Sequence, residues 1–98
     1  MFDTKFYEDK VPEHLLKGLI AWGNKHHRVG DFLTAVLSND LWKAVAYADD
    51  DSMKSLKFIV MFIHNELPNN CHGSKQVVVE WIKAMNEELE EQMEIEEI

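Results

Sequence analysis

Residues 52–67 have the sequence SMKSLKFIVMFIHNEL, which contains the longest uninterrupted apolar run of this chain, residues 58–63. Apolar side chains recur here at intervals of three and four residues, which is the spacing of one face of an α-helix. The residues of this stripe are Met53, Leu56, Val60, Ile63 and Leu67, widened by Phe58, Ile59 and Phe62. We therefore predict a buried central helix, capped by one acid of Asp49–Asp51 and ended by Pro68.

Two further helices are predicted before this central one. The first begins at Pro12, which suits the first helical position, and fades near Gly23. Its apolar face consists of Leu15, Leu16, Leu19, Ile20 and Gly23. The second begins after Gly30, with Asp31 as the expected cap and a stripe of Phe32, Leu33, Val36 and Leu37.

The polar residues 38–40, Ser-Asn-Asp, interrupt the second helix. Such side chains bond their own backbone and compete with a helix interior, so we predict a break and a separate short helix over 41–48. This short helix is expected to place together Leu41, Ala44, Val45 and Ala48.

The last helix follows a loop over 69–73, and Ser74 is its predicted cap. Its apolar face consists of Val77, Val78, Trp81, Ile82, Met85 and Leu89. The pattern predicts an all-α fold, a compact bundle of four to five helices.

Size and composition restrict the class of protein. A chain of 98 residues fits one domain, and its 46% hydrophobic content supplies a core with some left for a subunit interface, so a homo-oligomer is one expectation. The single cysteine, Cys71, excludes an internal disulfide and predicts a reducing cytoplasmic location. The N-terminus is too polar for a signal peptide, and the apolar run 58–63 is too short to cross a membrane.

Charge is concentrated at the C-terminus. Residues 86–98, NEELEEQMEIEEI, include seven Glu and no Lys or Arg, so they supply nearly all of the net charge of −8. We call this segment the acidic tail, and divide the chain into an N-terminal arm over 1–10, a helical domain over 11–85 and the acidic tail. The tail either solubilises the protein, mimics nucleic-acid charge or captures a basic surface. The excess of Asp and Glu over Lys and Arg argues against general nucleic-acid binding, which needs clustered Lys and Arg.

The one basic cluster, Lys25–Arg28, lies between two predicted helices. Cations beside a helix start attract anions, and a tryptophan stacks on a base. The candidate ligand-binding residues are therefore Trp22, Lys25, His26 and Arg28. The alternative is a solvated loop whose cations simply follow the C-terminus of the first helix.

No motif predicts a reaction or a metal centre. Cys71 and His72, with His64, fall short of the roughly four ligands of a zinc site, and a nucleophile needs a positioned base. The acidic run Asp49–Asp51 lacks the alternating ligands and glycine of a calcium loop. We therefore predict a non-enzyme without cofactor or metal.

Aromatic residues suggest a contact surface instead. Trp42 lies beside the apolar face of its helix and is the candidate aromatic anchor for a partner. The other partner-binding candidates lie in the acidic tail: Glu87, Glu88, Glu90 and Glu91. Phe2 and Phe6 in the polar arm are expected to dock onto their own domain or onto a neighbouring subunit.

The chain resembles a family of small, largely uncharacterised bacteriophage proteins. The resemblance extends over about residues 11–82 and is most specific at GDFLTAVLSNDL, residues 30–41. The other matching residues are VPEH at 11–14, AD at 48–49, NELP at 65–68, CHGS at 71–74, and Trp81. The family has no assigned reaction, so the resemblance implies an accessory role by binding and transfers no catalytic residue.

These observations favour one function and leave two others open. We expect a phage accessory protein that binds and neutralises a host component, such as a defence protein with a basic surface, in the cytoplasm of the infected bacterium. One alternative is an oligomer that sequesters a nucleotide or another anionic signal at a subunit interface. The other is a structural or interaction protein of the virion or of phage replication.

Overall fold

The computed structural model describes residues 2–97, with side chains for residues 2–89. Within that range the chain forms α-helices and a 3₁₀ turn and no strand, which confirms the predicted all-α bundle. The elements are α1 (Glu13–Gly23), α2 (Asp31–Leu37), α3 (Leu41–Tyr47), α4 (Asp50–Glu66), the 3₁₀ turn Asn69–Cys71 and α5 (Lys75–Glu97).

Helix starts follow the predicted capping chemistry with two corrections. Asp49 caps α4 through a 2.7 Å bond from the Ser52 amide, and α4 begins at Asp50, two residues earlier than expected. Ser74 accepts from the Val77 amide at 3.2 Å, as predicted. Asp31, however, is not a cap: Gly30 is, because its carbonyl accepts the first helical bond from Thr34.

The second correction is smaller. Pro12 is the residue before α1 and not its first helical residue, because the helix starts at Glu13. The carbonyl of Pro12 still accepts bonds from the amides of Leu15 and Leu16, at 3.0 Å each.

The predicted break between α2 and α3 is confirmed. Asn39 adopts a left-handed conformation with φ of 60°, which an Asn side chain tolerates better than most. The amide of Asp40 then reaches back to the carbonyl of Ala35 at 2.9 Å, which closes the end of α2. The Asp40 side chain caps α3 by accepting from the Lys43 amide at 3.1 Å.

The core lies between α1, α2, α4 and the first half of α5. Its largest fully buried side chains are Trp22, Phe62, Leu19, Leu37, Ile59, Met85 and Cys71. On α4 the buried face is rotated from the prediction: Ser52, Ser55, Ile59, Phe62 and Ile63 are buried, whereas Met53 and Val60 are 42% and 48% exposed. Apolar residues surround much of α4, so the pattern alone did not determine which side packs inward.

The N-terminal arm docks onto its own domain. Tyr7 is buried and packs edge-on against Phe62, with ring centroids 5.1 Å apart. Phe2 packs against the same ring at 6.3 Å, and the Asp3 amide donates to Glu66 at 2.8 Å. The arm therefore covers the central helix α4 without help from a neighbouring subunit.

Candidate binding surface

Trp22 is a core residue, so its predicted role in stacking on a ligand is wrong. It is 1% exposed, and its indole N–H donates to the carbonyl of Cys71 at 3.0 Å. The face of α1 that packs inward includes Trp22 with the leucines at 15, 16 and 19, because this side meets α5 and the 3₁₀ turn. No ligand reaches the indole without opening the core.

Lys25 is engaged by the C-terminal half of α5. It adopts a left-handed conformation with φ of 60° at the end of α1. Its ammonium group lies 3.2 Å from a carboxylate oxygen of Glu88 and 4.8 Å from the centre of the Trp81 ring. An ammonium paired with a carboxylate and an aromatic face already has its counter-charge. Glu88, a predicted partner contact, is thus used within the chain.

The remaining basic-cluster candidates separate in space. His26 and Arg28 are both exposed, and Arg28 faces a groove beside α3 that neither Trp22 nor Lys25 lines. The four predicted ligand-binding residues therefore do not converge on one site. Their proximity in sequence follows the turn at the end of α1, after which the chain changes direction.

The three most exposed large apolar side chains of the described residues all lie on α3. Trp42, the predicted aromatic anchor, is 89% exposed. Three neighbours on the same short helix are also exposed, and with Trp42 they form what we call the α3 face: Leu41 at 67%, Val45 at 48% and Tyr47 at 54%. An exposed apolar surface of this kind makes the α3 face a candidate contact site.

The α3 face is exposed because α3 is short and packs mainly against α2. Only Ala44 is buried in it, so the expected inward grouping of Leu41, Ala44, Val45 and Ala48 is wrong. Apolar residues occupy every side of this helix, and a single contact with α2 covers one side only. That excess of apolar residues in residues 41–48 was the sequence signal for the α3 face.

A groove of about 640 Å³ lies between α2, α3 and the start of α5. Its apolar part comes from α5 and from the aromatic residues of α3, and its charged rim mixes three cations with two carboxylates. The groove lining includes Arg28, Asp31, Asp40, Trp42, Lys43, Tyr47, Lys75, Val78, Val79 and Ile82. The loop after α4 holds the start of α5 beside the end of α2, because the Gly73 amide donates to the Leu37 carbonyl at 2.7 Å.

Cys71 is a buried residue at the end of the 3₁₀ turn. Burial raises the pKa of the Cys71 thiol to about 11, so the reactive thiolate is scarce at neutral pH. Burial, and secondarily the nearby His64, lower the pKa of His72, whose buried Nε2 lacks a hydrogen-bond partner. Among the residues that the structure describes, no three His, Cys, Asp or Glu side chains converge as metal ligands.

The acidic tail is described only in part. Glu87 and Glu88 are exposed, while the side chains of Glu90 and Glu91 lie outside the described residues. Met85 is the last buried side chain of α5 within residues 2–89, and Leu89 is 46% exposed. Over the described part of the chain, no helix is both long enough and apolar enough for a membrane span.

Comparison with known proteins gives no relative for this chain. No protein-family model, curated protein or solved structure matches it. The resemblance to small phage proteins therefore stays a prediction.

Proposed function

We propose that this protein is a non-enzymatic bacteriophage accessory protein that binds and neutralises a host protein in the cytoplasm of the infected bacterium. The observation that supports this proposal is the exposure of Trp42, 89%, on the α3 face. Tryptophan is largely buried on average in folded proteins, and it is enriched among the residues that dominate interface energetics. The resemblance of residues 11–82 to small phage proteins supports the phage context.

The α3 face has the chemistry of an interface core. A tryptophan and a tyrosine provide large amphipathic contact areas at a low cost in side-chain entropy, and Leu41 and Val45 add aliphatic surface. Trp42 alone offers on the order of 200 Å². Because standard interfaces bury about 800 Å² on each side, the partner also covers the adjoining groove.

The possible catalytic groups have structural positions, which favours action by binding. The carboxylates of Asp40 and Asp49 cap two different helices, α3 and α4. The Cys71 thiol lies in the core and points away from solvent. The proposal therefore assigns neutralisation to occupancy of the host protein's surface.

Photocrosslinking tests this assignment. A benzoylphenylalanine introduced at position 42, expressed in the bacterial host and irradiated, should give one adduct of discrete mass. The matched control places the same group at Val60, an exposed apolar position of α4 that is 48% accessible. Adducts at both positions, or at neither, would contradict the proposal.

The captured protein then tests the mode of action. If the protein neutralises its target by covering part of the target's surface, inhibition should increase in proportion to the amount of protein added. Inhibition should be complete near one equivalent. Trp42→Ala should weaken this inhibition at least tenfold, the size of effect found for interface anchors. Loss of target activity at a small fraction of one equivalent would instead indicate turnover.

A second function has support from the groove. Arg28, Lys43 and Lys75 line it together with two aromatic rings, a combination that suits an anionic aromatic ligand such as a nucleotide. Ligand that binds only the folded state raises the midpoint of thermal unfolding. A panel of cyclic and linear nucleotides that leaves this midpoint unchanged would remove this alternative.

A further inference from the structure

The rim of the groove is cationic on a protein that is acidic as a whole. Arg28, Lys43 and Lys75 are exposed there, and among the described side chains none of the three forms an ion pair. The two opposing carboxylates belong to Asp31 and Asp40, each at the start of a helix. The positive end of the helix dipole offsets part of their charge. The groove therefore favours an anionic occupant, whereas the chain has a net charge of −8.

The chain itself contains a segment of the complementary kind. The acidic tail has seven Glu and four apolar residues, Leu89, Met93, Ile95 and Ile98. Helix α5 continues into it to Glu97, although none of the side chains described after Met85 is buried. Glutamates four residues apart repel each other, and a helical end of this length gains little stability alone. A helix here is expected to need a surface to pack on.

The tail cannot reach the groove of its own chain. The groove is lined by the first two turns of α5, at Lys75, Val78, Val79 and Ile82, and residues 86–97 form the last turns of the same helix. At a rise of 1.5 Å per residue, these two regions lie roughly 20 Å apart along one continuous axis. Contact between them therefore requires two molecules.

We propose that two copies of this chain form a symmetric dimer in which the acidic tail of each copy docks in the groove of the other. Antiparallel pairing of two α5 helices brings the cationic start of one helix beside the acidic end of its partner, at both ends of the interface. Such an interface is self-complementary and closes at two subunits. The apolar part of the groove, Val78, Val79 and Ile82, receives the apolar residues of the tail.

This inference goes beyond the proposed function but shares a surface with it. Trp42 lines the groove as well as the α3 face. A docked tail therefore competes with a host partner for part of the same surface. The mass of the adduct at position 42 separates the two proposals, because a second copy of this chain gives twice the 11.4 kDa of one chain and a host partner gives a different mass.

Charge reversal on the full-length chain tests the dimer. The groove variant combines Lys43→Glu with Lys75→Glu, and the tail variant combines Glu90→Lys, Glu94→Lys and Glu97→Lys, positions chosen from the sequence. The control combines Lys54→Glu with Lys57→Glu on α4, exposed positions outside the groove. Circular dichroism confirms that each variant is helical, and light scattering gives its mass at low salt.

The expected result is complementation. Wild type and the α4 control should have twice the 11.4 kDa of one chain, and each reversed variant alone should be monomeric. An equimolar mixture of the groove and tail variants should return to the dimer mass, because both contacts regain opposite charges. A monomeric wild type overturns the inference, and so does a dimer that both reversals leave intact. A monomeric mixture overturns the assigned pairing of tail with groove.

Discussion

The indole N–H of Trp81 donates to the main-chain carbonyl of Trp22 at 2.9 Å, and the indole N–H of Trp22 donates in turn to the carbonyl of Cys71 at 3.0 Å. These two buried hydrogen bonds link α5, the end of α1 and the 3₁₀ turn. Both indoles are thereby satisfied within the core, while Trp42 remains in solvent. The three tryptophans of the chain thus have two separate roles.

Replacing either core tryptophan should destabilise the fold. Trp22→Phe leaves the Cys71 carbonyl without its indole donor. Trp81→Phe removes one of the two donors to the Trp22 carbonyl, which keeps the Lys25 amide at 3.1 Å. Both variants also lose buried ring volume, so each should cost about 1–3 kcal/mol of unfolding free energy. Urea denaturation followed by circular dichroism measures this change. The control Trp42→Phe should stay within about 0.5 kcal/mol of wild type, as expected for a surface position. Equal costs at all three positions would contradict the separation of roles.

The Cys71 thiol should resist modification in the folded protein. It is fully buried, and burial raises its pKa to about 11. Because the thiolate is the reactive form, we expect a thiol reagent at neutral pH to label Cys71 only after unfolding in denaturant. Mass spectrometry counts the label in each state. Rapid labelling of the native protein would show that this loop opens.

Stability should fall as the pH drops below 6.5, partly through His72. Burial lowers its pKa from the ordinary value of 6.5, so in this range the unfolded state binds more protons than the folded state. The contribution of His72 is therefore complete above 6.5 and is lost as the pH falls through its lower folded pKa. His72→Asn removes this proton linkage and should give a shallower decline in the thermal midpoint. Parallel declines in both proteins would assign the effect to other groups.

Two glycines of α1 should respond in opposite ways to alanine. A Cβ at Gly23 would lie 2.8 Å from both Leu67 Cδ2 and Phe2 Cζ, so Gly23→Ala forces the core or the arm to shift and should cost about 1–3 kcal/mol. A Cβ at Gly18 would lie 3.5 Å from Leu33 Cδ1, an ordinary contact. Gly18→Ala should therefore gain up to about 1 kcal/mol from helix propensity. Chemical denaturation of both variants tests the pair.

The sequence determined the helices and most of their ends. Local chemistry is sufficient there, because a cap such as Asp49 or Ser74 bonds an amide three residues away and Pro68 cannot continue a helix. The same local signals predicted the break at residues 38–40. The charge of the acidic tail was likewise readable from the sequence, because it depends only on composition.

Tertiary structure decided which apolar residues face the core and which face solvent. Trp22, Trp42 and Trp81 look alike in sequence, yet two are buried and one is 89% exposed. The difference arises because α3 contacts mainly α2, while α1 and α5 meet each other and the 3₁₀ turn. The groove has the same origin, since its rim combines Arg28, Lys43 and Lys75 from three separate parts of the chain. Helical periodicity describes one element at a time and does not contain the packing between elements, which alone places these side chains together.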